Sequence, residues 1–240
     1  MPLLPAVDNI DPIWQTVLDN MLDTLQSSEG LPEPLQPLLK ELRALAPETR
    51  DDIAKKLLQK EVAARHVGLA PFIMAALQVA FAKRSSKLCP RDVPYTDPAN
   101  ICPVCASEPV ASVIRIGGQA SGHRYLHCGG CGTDWHMVRV KCSHCESTQG
   151  IQYQTIEGDQ GVVQAETCTA CGSYRKIVNQ EKDPLAEPLA DDLASLMLDL
   201  LMSETRFQRA SANPLLYVAV AQEQADTGDA DGLIDPFPAP

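Results

Sequence analysis

The chain has 240 residues, of which 5% are aromatic, and a net charge of −11 at neutral pH. This length fits one elaborate domain or two to three small ones. The acidic excess lies near the C-terminus: residues 181–240 carry 12 acidic and 3 basic side chains, whereas residues 101–180 carry 6 of each. A basic stripe for nucleic acid is therefore not expected, and nucleic acid is not a predicted partner.

Neither the N-terminus nor the longest apolar run predicts a membrane protein. Residues 1–11 contain no Lys or Arg and no useful apolar run, which argues against a secretory signal. The longest apolar candidate, Pro71 to Ala82, is too short to span a bilayer and contains Gln78. We therefore expect a cytoplasmic protein without membrane insertion, in which thiols stay reduced.

Residues 1–88 are predicted to form a small helical bundle, because apolar side chains recur there at helical spacing. Asp11 can cap the first helix, and Pro12 suits its first turn. The pattern predicts helices over residues 11–27, 35–45, 48–66 and 71–84. We interpret their apolar stripes as core packing, and His66 as a packed or exposed side chain rather than a ligand.

Eight of the nine cysteines form four Cys-x-x-Cys pairs that repeat with an offset of 40 residues. Each half of the repeat contains two pairs separated by 22 residues. The pairs are Cys102/Cys105 and Cys128/Cys131 in the first half, and Cys142/Cys145 and Cys168/Cys171 in the second. Two such pairs can surround one tetrahedral ion, so the repeat predicts two four-cysteine metal sites, each built within one half. The ninth cysteine, Cys89, lies in a proline-rich linker and is interpreted as a spare thiol.

Disulfide bonds and thioredoxin-like chemistry suit the cysteine pairs less well than metal binding. A disulfide framework needs an oxidising compartment, and thioredoxin-like redox pairs need a βαβ context. Tetrahedral sulfur ligation suits zinc or iron equally well, so spacing alone leaves the metal open. Four nearby histidines are interpreted as surface groups or as donors behind the ligands, because four sulfurs already complete a site. They are His123, His127, His136 and His144.

Short β-like runs lie between the cysteine pairs, as expected for ribbon hairpins. They cover Val110 to Ile116 and Arg124 to His127 in the first half, and Ile151 to Ile156 and Val162 to Ala165 in the second. A glycine follows Cys131 and Cys171, whereas Ala106 and Glu146 follow the other two pairs, so we expect one looser turn in each half. The predicted ribbons are residues 89–140 and 141–182.

The C-terminal part is predicted to begin with one helix and to end in a disordered acidic tail. The helix, residues 189–209, lies within a segment of residues 183–218 that we interpret as a helix and docking segment. Its apolar face is Leu189, Leu193, Leu196, Met197, Leu200 and Leu201. The tail, residues 219–240, is acidic and lacks a periodic apolar pattern.

The segment from Ile101 to Pro214 closely resembles the formate dehydrogenase accessory protein family (FdhE). The resemblance rests on Cys-Pro-Val-Cys at 102–105, Arg-Tyr-Leu-His-Cys at 124–128 and Thr-Asp-Trp-His at 133–136. It continues through Val-Arg-Val-Lys-Cys at 138–142, Glu-Lys-Asp-Pro at 181–184 and Ala-Asp-Asp-Leu-Ala-Ser-Leu at 190–196. Compared with the family, the helical region before it looks shortened.

The helical and β-like patterns together predict an α+β fold: a small N-terminal helical bundle, two tandem zinc-ribbon or rubredoxin-like modules, and a C-terminal helix. The family resemblance implies a non-catalytic factor that binds the catalytic subunit of a respiratory formate dehydrogenase and assists its maturation in the cytoplasm. It also implies rubredoxin-type iron at both four-cysteine sites, with zinc as the alternative.

Two further functions stay open as alternatives. One is a redox module based on rubredoxin-like iron, and the other, disfavoured by charge, is a zinc-ribbon protein for nucleic acid. Paired carboxylates, a nucleophile with its base and a phosphate loop are not evident in the sequence, so an enzyme is not expected.

Overall fold

The computed structural model describes residues 2–117 and 121–216, and the backbone of residues 233–234. It separates into two compact units. Within the described part of the chain, one consists of Ala6–Arg84 with the residues from Pro214 on, and the other of Ser85–Asn213 with residues 2–5. Among the described residues, no helix is both long and apolar enough to cross a membrane.

The helical unit contains four α-helices, as the apolar pattern predicts. They are α1 (Ile13–Ser27), α2 (Leu35–Ala44), α3 (Pro47–Leu58) and α4 (Ala70–Ser85). Asp11 caps α1 as expected, because its carboxylate accepts a hydrogen bond from the Ile13 N–H at 3.0 Å. Trp14 is fully buried, and its indole N–H donates to Asp51 on α3 at 3.0 Å. The apolar stripe of α1 is therefore core, as predicted.

The prediction that the third helix continues to residue 66 is wrong. Helix α3 ends at Leu58, and a two-residue strand, β1 (Val62–Ala63), and a single 3₁₀ turn follow it. Lys60 has a left-handed φ of 65°, and the Glu61 N–H donates to the Lys56 carbonyl at 2.8 Å. This is the hydrogen-bond pattern of a helix end that glycine usually forms. Because lysine occupies this position instead of glycine, the sequence does not indicate that the helix ends here.

The second unit is built on one seven-stranded sheet rather than on two separate ribbons. The strands are β2 (Pro109–Ile114), β3 (Arg124–Cys128), β4 (Asp134–His136), β5 (Ile151–Gln154), β6 (Val163–Cys168), β7 (Ser173–Asn179) and β8 (Gln208–Arg209). Their order is β4-β3-β2-β7-β6-β5, and β8 lies beside β7. Strands β4 and β7, which directly follow a cysteine pair, were not among the predicted β runs. The ribbon boundaries at residues 89–140 and 141–182 stay predictions.

The 40-residue repeat is visible in this topology. Strands β2, β3 and β4 form one antiparallel meander, and β5, β6 and β7 form a second one at the matching positions. The first strand of one meander pairs in parallel with the last strand of the other, with Ser112 opposite Ile177. This contact joins the halves into one sheet, and the predicted α+β fold is confirmed.

A buried ion pair crosses the joint between the halves. Arg124 on β3 donates to Glu166 on β6 at 2.6 Å, and both side chains are almost fully buried. The same guanidinium donates to the Ser112 hydroxyl at 2.9 Å and to the Lys141 carbonyl at 2.9 Å. Burial raises the pKa of Glu166, and the adjacent Arg124 opposes that shift.

The C-terminal helix is not continuous, contrary to the prediction for residues 189–209. It consists of α5 (Pro188–Ala194) and α6 (Leu196–Ser203), with a break at Ser195. The ammonium group of Lys176, on β7, donates to the carbonyls of Asp192 and Ser195 at 2.7 and 3.0 Å. These carbonyls are turned toward a buried cation, and the chain bends there.

The predicted apolar face of this helix is also wrong in part. Leu198 and Met202 pack into the core, whereas Met197, Leu200 and Leu201 are exposed. The predicted disordered tail, residues 219–240, lies outside the described residues except for the short strand β9 (Leu233–Ile234), which pairs with β1.

Replacing one partner of the buried ion pair should destabilise the sheet unit strongly. We expect Arg124→Met to lower the free energy of unfolding by about 3–5 kcal/mol, because it leaves the Glu166 carboxylate buried without its cation. Denaturant unfolding followed by circular dichroism measures this loss.

Two matched variants test the reason for that loss. Arg139→Met removes a half-exposed arginine that lies 3.9 Å from Glu181, and it should cost less than about 1 kcal/mol. The double variant Arg124→Met/Glu166→Met should recover much of the stability, since no charge is then left buried alone. If Arg124→Met is no worse than Arg139→Met, the pair does not hold the halves together.

Candidate metal centres

Each Cys-x-x-Cys pair closes the same tight turn. In each turn, the N–H of the residue after the second cysteine donates to the carbonyl of the first cysteine, at 2.9 to 3.1 Å. The four donors are Ala106, Gly132, Glu146 and Gly172. This geometry directs both thiols of a pair to the same side, as a tetrahedral ion requires.

The expected difference between glycine and non-glycine turns is not seen. Gly132 and Gly172 have φ values of 69° and 71°, and Ala106 and Glu146 adopt 67° and 59°. All four residues are thus in the left-handed region, which costs a side-chain-bearing residue roughly 1–2 kcal/mol. Ala106 and Glu146 therefore adopt a strained backbone conformation. Their turns have the same shape as the turns that contain glycine.

The turns bring the sulfurs into two groups of four, each within one half of the repeat. In each group all Sγ atoms lie within 4.8 Å of one another. The first group is Cys102, Cys105, Cys128 and Cys131, and the second is Cys142, Cys145, Cys168 and Cys171. All nine cysteines are free thiols.

The sulfur separations suit a metal ion. Cys105 and Cys128 are 3.4 Å apart and Cys102 and Cys131 3.7 Å. The Cys142–Cys171 and Cys145–Cys168 separations are both 3.8 Å. Metal–sulfur bonds of about 2.3 Å in a tetrahedron require sulfurs about 3.8 Å apart, whereas a disulfide requires about 2.05 Å. The donor set and its dimensions therefore fit a four-sulfur metal ion.

Comparison with known proteins places this geometry in a family. Consecutive models of the FdhE N-terminal, central and C-terminal domains match residues 1–97, 101–139 and 140–216. The crystal structure of the FdhE protein from Pseudomonas aeruginosa superposes with a TM-score of 0.77 and 36% identity, over 90% of this chain and 75% of that one. The chain belongs to the FdhE family.

Curated relatives agree with this assignment. The FdhE homologue of Edwardsiella ictaluri is 43% identical over 207 residues, which are 86% of this chain and 66% of that protein. The Cronobacter sakazakii homologue is 40% identical over 85% of this chain and 65% of its own length. FdhE of Salmonella enteritidis is also 40% identical, over 86% and 66%. The chain thus spans slightly less than two thirds of the length of these FdhE proteins.

The histidines lie outside both sulfur groups. Among the described residues, each group consists of cysteines alone. His127 lies next to Cys128, and its Nδ1 is 2.7 Å from Asp134, which also pairs with Arg115. His144 is exposed. These positions agree with the interpretation of the histidines as surface groups or as donors behind the sulfurs.

Cys89 is not part of either group within the described chain. Its sulfur accepts a hydrogen bond from the Arg91 guanidinium at 3.1 Å. It is thus a cysteine outside both centres, as expected for a spare thiol.

Sequence inspection missed several side chains that support the FdhE turns. The Thr133 hydroxyl lies 3.0 Å from the Cys131 sulfur, and the Ser107 hydroxyl 3.3 Å from the Cys105 sulfur. In the second half, Arg175 donates to the hydroxyl of Ser143, inside the first turn, at 3.0 Å. The offset of 40 residues aligns Thr133 with Ser173 and Ser107 with Ser147, and these two matches are a signal that could have identified a hydroxyl beside the sulfur.

The left-handed turns can be tested with exchanges at matched positions. Ala106 is exposed, so Ala106→Gly should raise the free energy of unfolding by a few tenths to about 1 kcal/mol through relief of the strained φ. Gly132→Ala, at a position where a Cβ meets no atom within 4 Å, should lower it by about 1–2 kcal/mol. Thermal unfolding of the metal-loaded chain measures both changes. A change of the same sign for the two exchanges would contradict the geometry.

Proposed function

We propose that the chain is a non-catalytic accessory factor for the maturation of a respiratory formate dehydrogenase. The observation that carries the proposal is the match to all three FdhE domain models in order, across the helical region and both cysteine repeats. The resemblance of residues 101–214 to formate dehydrogenase accessory proteins indicates which protein the chain assists: the catalytic subunit of the dehydrogenase. A cytoplasmic site of action is part of the proposal.

We further propose that the eight paired cysteines hold two metal ions, one in each half of the repeat. The sulfur separations support this assignment, as does the absence of competing ligands among the described residues of each group. Iron of the rubredoxin type is the ion that the family resemblance favours, and zinc is the alternative. Bound zinc supplies structural support alone, whereas bound iron adds one-electron redox chemistry.

The chemistry of the sites supports a non-catalytic role. Four thiolates complete a tetrahedral shell, so a bound ion keeps no open position for a substrate. Several buried charged groups of the sheet unit form ion pairs with each other. Lys176 lies 2.6 Å from Asp199, and Arg209 pairs with Asp192 and Asp199. These pairs serve to attach α5 and α6 to the sheet.

Helix α6 offers a surface for the catalytic subunit. Met197 and Leu200 are 59% and 62% exposed, and Leu201 lies beside them. Adjacent exposed apolar side chains are typical of surfaces that bind another protein. Their position within residues 183–218 supports the docking segment expected from the sequence.

A redox module is the second candidate function. The observation that favours it is the solvent accessibility of Cys145 and Cys171 in the second group. Electron exchange with a partner needs a metal site that the partner can approach closely. Nucleic acid is disfavoured by the equal numbers of acidic and basic residues in 101–180.

The proposal is tested in a host strain that lacks its own FdhE-family gene. We expect such a strain to lose respiratory formate dehydrogenase activity, and the intact chain to restore it. Cys128→Ser should fail to restore activity, because metal binding and folding of its half are coupled. Cys89→Ser is the matched control, and it should restore activity fully, since Cys89 belongs to neither sulfur group.

Co-purification from the same strains tests the proposed partner. The tagged chain should retain the dehydrogenase catalytic subunit, and Leu200→Asp should lose it while keeping its metal content. Val79→Asp, at an exposed position of α4, is the control and should retain the subunit. Full enzyme activity in the strain without any FdhE-family chain would refute the accessory role.

A further inference from the structure

The two sulfur groups have the same turns and differ in their exposure to solvent. In the first group, Cys105 and Cys131 are 3% and 2% exposed. The offset of 40 residues places Cys145 and Cys171 at the matching positions of the second group, and both are accessible to solvent. The duplication therefore allows the same turn to be compared in two different surroundings.

The N-terminal segment covers one turn of the first group. The Leu3 N–H donates to the Pro103 carbonyl at 3.1 Å, and the Leu4 N–H donates to the Val104 carbonyl at 2.6 Å. Pro103 and Val104 are the two residues between Cys102 and Cys105, and Val104 is 3% exposed. Backbone from a distant part of the chain thus lies directly on this turn.

The other turn of the first group is contacted by a side chain. The Ser85 hydroxyl donates to the Cys131 carbonyl at 2.9 Å. A second segment from before the repeat therefore covers this side of the group, and reagents in solution reach the four sulfurs only if these segments move.

In the matching turn of the second group, Cys142 and Ser143 are buried, whereas His144 and Cys145 face solvent. His144 occupies the position that corresponds to Val104, and it is exposed. Its carbonyl accepts a hydrogen bond from the side-chain amide of Asn100 at 2.8 Å, in place of the paired backbone that covers Pro103 and Val104. The Cys145 sulfur is consequently open to reagents without any rearrangement of the chain.

We propose that the second group, Cys142, Cys145, Cys168 and Cys171, is a metal-exchange site, whereas the first group exchanges its ion slowly and holds it as part of the fold. This inference rests on the proposed binding of two ions. The ligand class is a thiophilic divalent cation such as Zn²⁺, Fe²⁺ or Co²⁺. A competing ligand can attack at Cys145 or Cys171, because both are accessible at opposite turns. At the first group the same attack must wait for local opening of the covering segments.

Competition with a chelator measures the difference. The full chain is loaded with Zn²⁺, separated from free metal and mixed with an excess of EDTA, and the zinc left on the chain is followed over time. We expect release in two phases of one ion each, with rates that differ by roughly tenfold or more, because only the slower site must open first.

Two further measurements assign the phases to the sites. Alkylation with N-ethylmaleimide during the fast phase, followed by peptide mass spectrometry, should label Cys145 and Cys171 before any cysteine of the first group. Leu4→Pro removes the N–H that donates to Val104 and should accelerate the slow phase. Leu4→Ala keeps that N–H and is the matched control.

The outcomes separate this inference from the proposed function. Release of two ions at one rate, or early labelling of Cys105 and Cys131, overturns the inference and leaves two-ion binding intact. Acceleration by Leu4→Ala equal to that by Leu4→Pro removes the covering backbone bond as the cause. A folded chain that binds fewer than two ions contradicts the metal assignment, and the inference fails with it.

Discussion

Strands β2 and β7 pair in parallel at the centre of the sheet, and the positions of both sulfur groups follow from that contact. Each half of the repeat is a three-stranded antiparallel meander, and β2 and β7 are the strands at which the halves meet. The parallel pairing, with Ser112 opposite Ile177, joins the two meanders into one sheet. Because the cysteine turns sit at strand ends, joining the strands also sets where the sulfurs lie.

Buried charges reinforce that joint and extend it to the C-terminal helices. Arg124 reaches from β3 to Glu166 on β6. On β7, Arg175 donates to the hydroxyl of Ser143, and Lys176 holds the carbonyls at the end of α5. Each of these cations is expensive to bury and has its partners on another segment. The network consequently favours one arrangement of these segments. Apolar packing alone would specify that arrangement less well, because the chain has few aromatic residues.

The sequence predicted what depends on local spacing and missed what depends on distant partners. The two cysteine groups could be predicted because each turn is local and the repeat indicates which pairs belong together. The interruption at Ser195 could not be predicted, since it depends on Lys176, which lies on another strand. Strand β7 was missed because Arg175 and Lys176 look like surface residues, yet both are buried. The end of α3 was missed because Lys60 takes a conformation usually held by glycine.

The chain segments that cover the first sulfur group explain how a duplication can produce two sites that differ in solvent exposure. The turns and sulfur spacings of the halves are alike, and Leu4 and Ser85, which lie outside the repeat, contact turns of the first group. Structural support and chemical accessibility are opposing demands on a metal site, and two copies allow one chain to meet both.

X-ray absorption at the metal edge of the purified full chain tests the central claim most directly, because it reports the element and its ligands together. The account predicts two ions per chain, iron or zinc, each with a shell of four sulfurs at about 2.3 Å. A shell containing nitrogen or oxygen ligands, or a folded chain with fewer than two ions, would contradict it.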